Sequence, residues 1–190
     1  RGLVSGLRRA LPSDESYNWL ASSAFNGGLR LDHRWRGGRY GMYAFMTGSH
    51  VRGAPEAITR IQKASNHYFQ RPDATRVSLD ETATAISGLA WRLNLEKREG
   101  EHWTGAVWSS QLTSGFEINE LGFYPSAERL DAGARVTYKE ITPGQVFRSY
   151  SFGGITYHNW SHEVLDDFWS SGSWRDAWVR GAFTANANGE

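Results

Sequence analysis

The sequence predicts an all-β fold, an antiparallel up-and-down membrane β-barrel or a portion of a larger one, and three observations predict it. Several segments alternate apolar and polar residues with period two, the spacing of a strand with one greasy and one wet side. Short polar turns containing Gly join some of these segments directly. The short turns (36–39, 98–101, 141–145) alternate with long excursions (52–82, 113–129, 161–175), as in outer-membrane barrels, with brief turns on one side and long loops on the other. A soluble or surface-attached carbohydrate-binding β-sandwich stands second, since a soluble sandwich has no reason to keep its short turns at one end.

Composition sets the frame. A chain of 190 residues is enough for a single domain, 1–190. A net charge of +1 argues for no global field that would gather nucleic acid. With no Cys there is no disulfide framework, no thiolate nucleophile and no Cys-based metal site. No apolar run approaches the roughly 18 residues of a transmembrane helix. Low mean hydropathy still suits a membrane barrel, because half of each strand faces a polar interior. The chain opens on Arg1 and not on Met, so further sequence is expected ahead of it.

Taken in order, Arg1–Leu11 reads as the end of a strand and Pro12–Ser16 as a loop. Ala21–Trp35 is a strand with Leu29, Leu31, His33 and Trp35 opposite Arg30, Asp32 and Arg34. Arg36–Arg39 closes a hairpin, its paired glycines tolerating positive φ, and Tyr40–Val51 returns. Pro55–Arg71 is the one helical pattern, with Ile58, Ile61, Ser65 and Tyr68 or Phe69 three to four apart. Pro55 suits the first helical turn and Pro72 stops the helix, which places it in the long outer loop 52–82.

Ala83–Leu112 is the central hairpin, its arms about as long as a tilted strand needs to cross a bilayer. Leu89, Trp91, Leu93 and Leu95 share one side of its first arm, while Ala90, Arg92, Asn94 and Glu96 share the other. Leu130–Lys139 alternates most cleanly, and Thr142–Gln145 turns it into Phe147–Trp160. Asp176–Ala187 is a last strand. Trp35, Tyr40, Trp103, Tyr138 and Phe147 lie near the short turns, where an interfacial aromatic girdle belongs.

Three stretches also carry a likeness: Gly48–Gly53 (Gly-Ser-His-Val-Arg-Gly), Tyr68–Ala74 (Tyr-Phe-Gln-Arg-Pro-Asp-Ala) and Ser114–Phe123 (Ser-Gly-Phe-Glu-Ile-Asn-Glu-Leu-Gly-Phe). With the His33–Tyr40 hairpin they resemble the uncharacterised outer-membrane β-barrel domain that follows a family 9 carbohydrate-binding-like module in Gram-negative bacterial proteins. Tyr68–Ala74 is the most specific part. The resemblance implies an outer-membrane location, a barrel fold and such a module ahead of this segment in the parent chain. It brings no reaction and no catalytic residues. The module is absent here and the strands number seven or eight, so the chain reads as a portion of a larger barrel.

The alternation then sorts residues by surface. Arg30, Arg34, Arg92, Arg135, Arg180, Glu96 and Asp131 occupy the polar phase and are expected to face the lumen. Leu89, Trp91, Leu93, Val136 and Tyr138 occupy the apolar phase and are expected to face lipid. The arginines suit either an anion- or sugar-selective wall or a ladder neutralised by carboxylates on neighbouring strands, and the ladder is preferred. Trp160, Trp169, Trp174 and Tyr124, in the outer loops, could stack on sugar rings or pack the loops on themselves, the commoner outcome.

His158 and His162, near Glu163, Asp166 and Asp167, raise a metal site, but they straddle a strand end and a loop, and none is expected. Glu117, Glu120, Asp166 and Asp167 are loop acids with no sign of glycosidase pairing. There is no Gly-x-Ser-x-Gly elbow and no phosphate loop. The expectation is a non-catalytic outer-membrane protein without cofactor, moving or binding glycans or other nutrients. Its partners are outer-membrane lipid and a glycan or small solute, and not nucleic acid.

Overall fold

A computed structural model describes residues 1–12, 15–72, 74–124, 128–163, 166 and 182–189. Its strands are β1 (Gly2–Arg8), β2 (Ala21–Trp35), β3 (Tyr40–Gly53), β4 (Ala85–Lys97), β5 (Trp103–Leu112), β6 (Arg129–Glu140), β7 (Tyr150–Trp160) and β8 (Ala182–Gly189). They form one antiparallel sheet in chain order, each strand beside the next. The fold is therefore all-β and up-and-down, with a helix, α1 (Pro55–Lys63), in the connection between β3 and β4. Among the described residues β1 pairs only with β2 and β8 only with β7, so the sheet is not closed. Among the described residues all strands belong to this one sheet.

Turn chemistry places the strand ends. At the β2–β3 hairpin Gly37 and Gly38 take φ of 68° and 96°, values that cost a glycine little and other residues much. The β2–β3, β4–β5 and β6–β7 connections all lie at one end of the sheet, and the long connections at the other. Tyr40, at the tip of β3, lies in a row with Lys97, Gly105, Val136 and Gly154, the last two well inside β6 and β7. Rows that drift in this way slant the strands by roughly 30–40° from the line of the turns, at about 3.3 Å per residue and 4.8 Å per strand.

The helix is shorter than the sequence pattern suggests, ending at Lys63 and not near Arg71. Ala64 turns to extended backbone, and Tyr68 takes a φ of 48°. Tertiary contacts override the helical spacing there. Gln62 is fixed in both directions by the Asp80 backbone, and His67 is drawn to Ser114 and Glu117. Ile58 and Ile61 pack with Ala21, Ala24, Val51 and Ile86, with Leu7, Phe69 and Ala83 against them. A second cluster joins Ala90 and Leu112 to Phe116, Ile118 and Tyr124. Both clusters sit at the long-loop end.

Candidate functional site

The pairing register sorts side chains by face. Directly paired residues share a face, so rows can be followed across the sheet. One row runs Arg30, Phe45, Arg92, Ser110, Asp131, Asn159. Another runs Arg34, Gly41, Glu96, Ala106, Arg135, Ile155. All six described members of the expected lumen set therefore lie on one face; Arg180 lies outside the described residues. The same face carries Leu7, Ala24, Val51, Ile86, Ala90 and Leu112, onto which α1 and the loop 113–124 pack.

Close approach makes that packing possible. A Cβ at Gly88 would stand 2.1 Å from the Phe116 nitrogen, and one at Gly115 would stand 2.2 Å from the Ser87 oxygen. Only a hydrogen fits at either position. The cover is then locked by polar contacts. His67 Nδ1 lies 2.7 Å from the Ser114 carbonyl and Nε2 lies 2.8 Å from Glu117 Oε2, so both ring nitrogens face acceptors. The Glu117 amide donates to Ser49 Oγ at 2.9 Å. Burial pushes the Glu117 carboxyl up, but hydrogen bonds from His67 and the Asn119 amide outweigh it, and its pKa falls below the usual value. Gly48–Gly53 and Ser114–Phe123 thus meet at Ser49 and Glu117, and His67, one residue before Tyr68–Ala74, bridges to them.

A second knot lies beside it. Arg71 reaches Glu128 and Glu163, each at 2.5 Å, and His162 Nδ1 stands 3.8 Å from Glu128. Trp91 Nε1 donates to Gln111 Oε1 at 2.9 Å, and the Gln111 amide nitrogen reaches His162 Nε2 at 2.6 Å. Arg9 holds Glu120 at 2.6 Å, and Arg76 holds Asp166. Glu117, Glu120 and Asp166 are therefore each engaged by a basic side chain, and Asp167 lies outside the described residues. His158 stacks on Trp160 and lies 2.8 Å from Thr156 Oγ1, and no group of three metal-ligating side chains forms among the described residues.

On the polar face the charges pair within strands. Asp131 takes Arg129 at 2.9 Å, Glu96 takes Arg98 at 3.2 Å, and Arg30 takes Asp32 at 2.7 Å. Among the described residues no ion pair joins these groups across neighbouring strands, and each acid has an arginine two residues away on its own chain. Arg92 and Arg135 are left without an ion pair or hydrogen bond among the described residues.

No protein-family model, no curated protein and no solved structure matches the chain. The geometry alone carries the reading.

The opposite face holds all five residues of the expected lipid set, Leu89, Trp91, Leu93, Val136 and Tyr138. Leu29 (70%), Met46 (53%), Val107 (53%) and Val136 (50%) stand widely exposed on it. Across β2–β7 this face has no Asp, Glu, Lys or Arg between Arg52 at the long-loop end and Lys97 and Glu140 at the other. Aromatic side chains touch one another at the short-turn end: Trp35 with Tyr40, Trp103 with Tyr138 and Phe152, and Tyr138 with Tyr150. Tyr124 packs in the loops against Phe116 and Trp160 stacks on His158; Trp169 and Trp174 lie outside the described residues.

Sequence reading passed over two features. Trp108 sits in the polar phase of β5, and its parity with Ser110 was the available signal. The His67–Glu117 pair spans fifty residues and leaves no local pattern.

Proposed function

We propose that this chain is an outer-membrane β-barrel domain, or a large part of one, that passes or binds glycans or other small nutrients at a Gram-negative surface without catalysing a reaction. One observation carries the reading: α1 and the loop 113–124 cover the polar face, while the aliphatic face lies bare. In water the apolar face would attract the cover, since burial of apolar area is the main favourable term in folding. In a bilayer that face is already solvated.

Other features agree. The strand slant is comparable to the 35–45° of membrane barrels. Trp91 and Trp160 border the bare face at the long-loop end, opposite the aromatic cluster at the short turns. From Phe152 to Trp160 is about 26 Å along the strand, or about 20 Å after tilting, near the roughly 25 Å of a barrel's apolar band. No described helix is long and apolar enough to cross a membrane, which says nothing of strands. Hydrocarbon offers no water to the free edges of β1 and β8, so they must be joined to each other or to further strands. The carbohydrate-binding-like module implied by the family likeness belongs to the same proposal.

Absence of Cys makes the test direct. Single cysteines at Val107 and Val136 (bare face) or Thr104 and Thr137 (covered face), each carrying an environment-sensitive dye, are folded into vesicles containing brominated lipid. Quenching at 107 and 136 but not at 104 and 137 is expected. Equal quenching of both sets, or no association with vesicles, overturns the reading.

A further inference from the structure

We propose that the polar face carries a binding site for an acidic oligosaccharide, with Trp108 as its floor and Arg92 and Arg135 as its grips. The inference rests on the glycan-handling reading above and names the ligand class.

Register places the parts. Trp108 pairs with Asn94 on β4 and Gly133 on β6, in a row that runs Asp32, Tyr43, Asn94, Trp108, Gly133, Tyr157. Its diagonal neighbours are Arg92 and Glu96 on β4 and Asp131 and Arg135 on β6. Diagonal partners on adjacent strands lie about 7–8 Å apart. Arg92 and Arg135 therefore flank the indole from opposite corners. The two acids at the remaining corners are neutralised on their own strands by Arg98 and Arg129. Among the described residues two guanidinia are left unopposed around one aromatic ring.

The ring is held in place. A Cβ built on Gly133 would stand 2.2 Å from Trp108 Cζ2, so the indole leans over that glycine and any other residue there would displace it. Tyr43 and Tyr157 continue the row on either side, and Asn94 adds an amide between Tyr43 and Trp108. An indole face is an apolar platform suited to a pyranose ring. Guanidinium forks match carboxylates in two parallel hydrogen bonds. An inorganic anion has no use for the aromatic row, and a neutral sugar has no use for paired guanidinia. A uronate-bearing oligosaccharide uses both.

The test is isothermal titration of the protein in detergent micelles with trigalacturonate, using maltotriose and sodium sulfate as comparisons. Trigalacturonate should bind at least tenfold more tightly than maltotriose. Arg92→Gln with Arg135→Gln, and separately Trp108→Ala, should each weaken it at least tenfold, while Arg39→Gln in the β2–β3 turn leaves it unchanged. If the glutamine pair fails to fold, Arg92→Lys with Arg135→Lys keeps the charge and should still lose several-fold through the lost fork geometry. Equal affinity for maltotriose, displacement by equimolar sulfate, or wild-type binding by the double variant would overturn the site. A protein that proves soluble is titrated in plain buffer, so failure of the membrane reading stays separate from failure of this one.

Discussion

The two faces of this sheet come from the same alternating strands and end in opposite circumstances. One is charged, partly roofed by α1 and the loop 113–124, and threaded by ion pairs at the long-loop end. The other leaves Leu29, Met46, Val107 and Val136 widely exposed. The contrast teaches that exposure of apolar groups here is organised. The cover had an apolar face within reach and packed on the other one, because small and aliphatic residues (Ala24, Val51, Ile86, Ala90) replace charge on the polar face where the cover sits.

The largest break in the comparison should come at the lock of the cover. His67→Leu removes one partner of a buried pair and leaves the Glu117 carboxylate facing apolar surroundings. A loss of about 3–5 kcal/mol is expected, seen as faster hydrogen exchange across 64–71 and 113–124. Adding Glu117→Leu should recover most of it. A single variant with wild-type exchange would show that the pair does not hold the cover.

Next in size is the contrast between adjacent residues of β4. Leu93→Arg puts a charge on the bare face and should impair folding into vesicles by about 2–4 kcal/mol if residue 93 lies near the bilayer midplane. Arg92→Leu, one residue away on the other face, should leave vesicle folding intact. Urea titration of the vesicle-bound protein measures both, and equal effects would erase the distinction between the faces.

The smallest effect is on pH. The Glu117 pKa is lowered in the folded state, so its contribution is present above the ordinary carboxylate value of 4.5 and is lost as pH falls through the lowered value. Hydrogen exchange of 113–124 should therefore accelerate as pH drops below 4.5, once corrected for the intrinsic rate, while that of the β2–β3 hairpin changes less. Equal acceleration in both regions would point to general acid unfolding and not to this pair.

Local chemistry made much of the fold legible. Period-two alternation marks strands because successive side chains point to opposite faces, and Gly37–Gly38 marks a hairpin because only glycine takes such φ cheaply. That reasoning places β2 to β7 within a few residues and puts Arg92 and Leu93 on opposite faces. It stops at any property that depends on which strand lies opposite which residue. Arg92 and Arg135 lie far apart in the sequence, and register alone sets them at opposite corners of Trp108. The helical spacing through Phe69 is real in the sequence, but Gln62 and His67 find partners 18 and 47 residues away, and those contacts end α1 at Lys63. Alternation is a property of one chain segment, whereas register and contact are properties of two, and only folding brings the second one in.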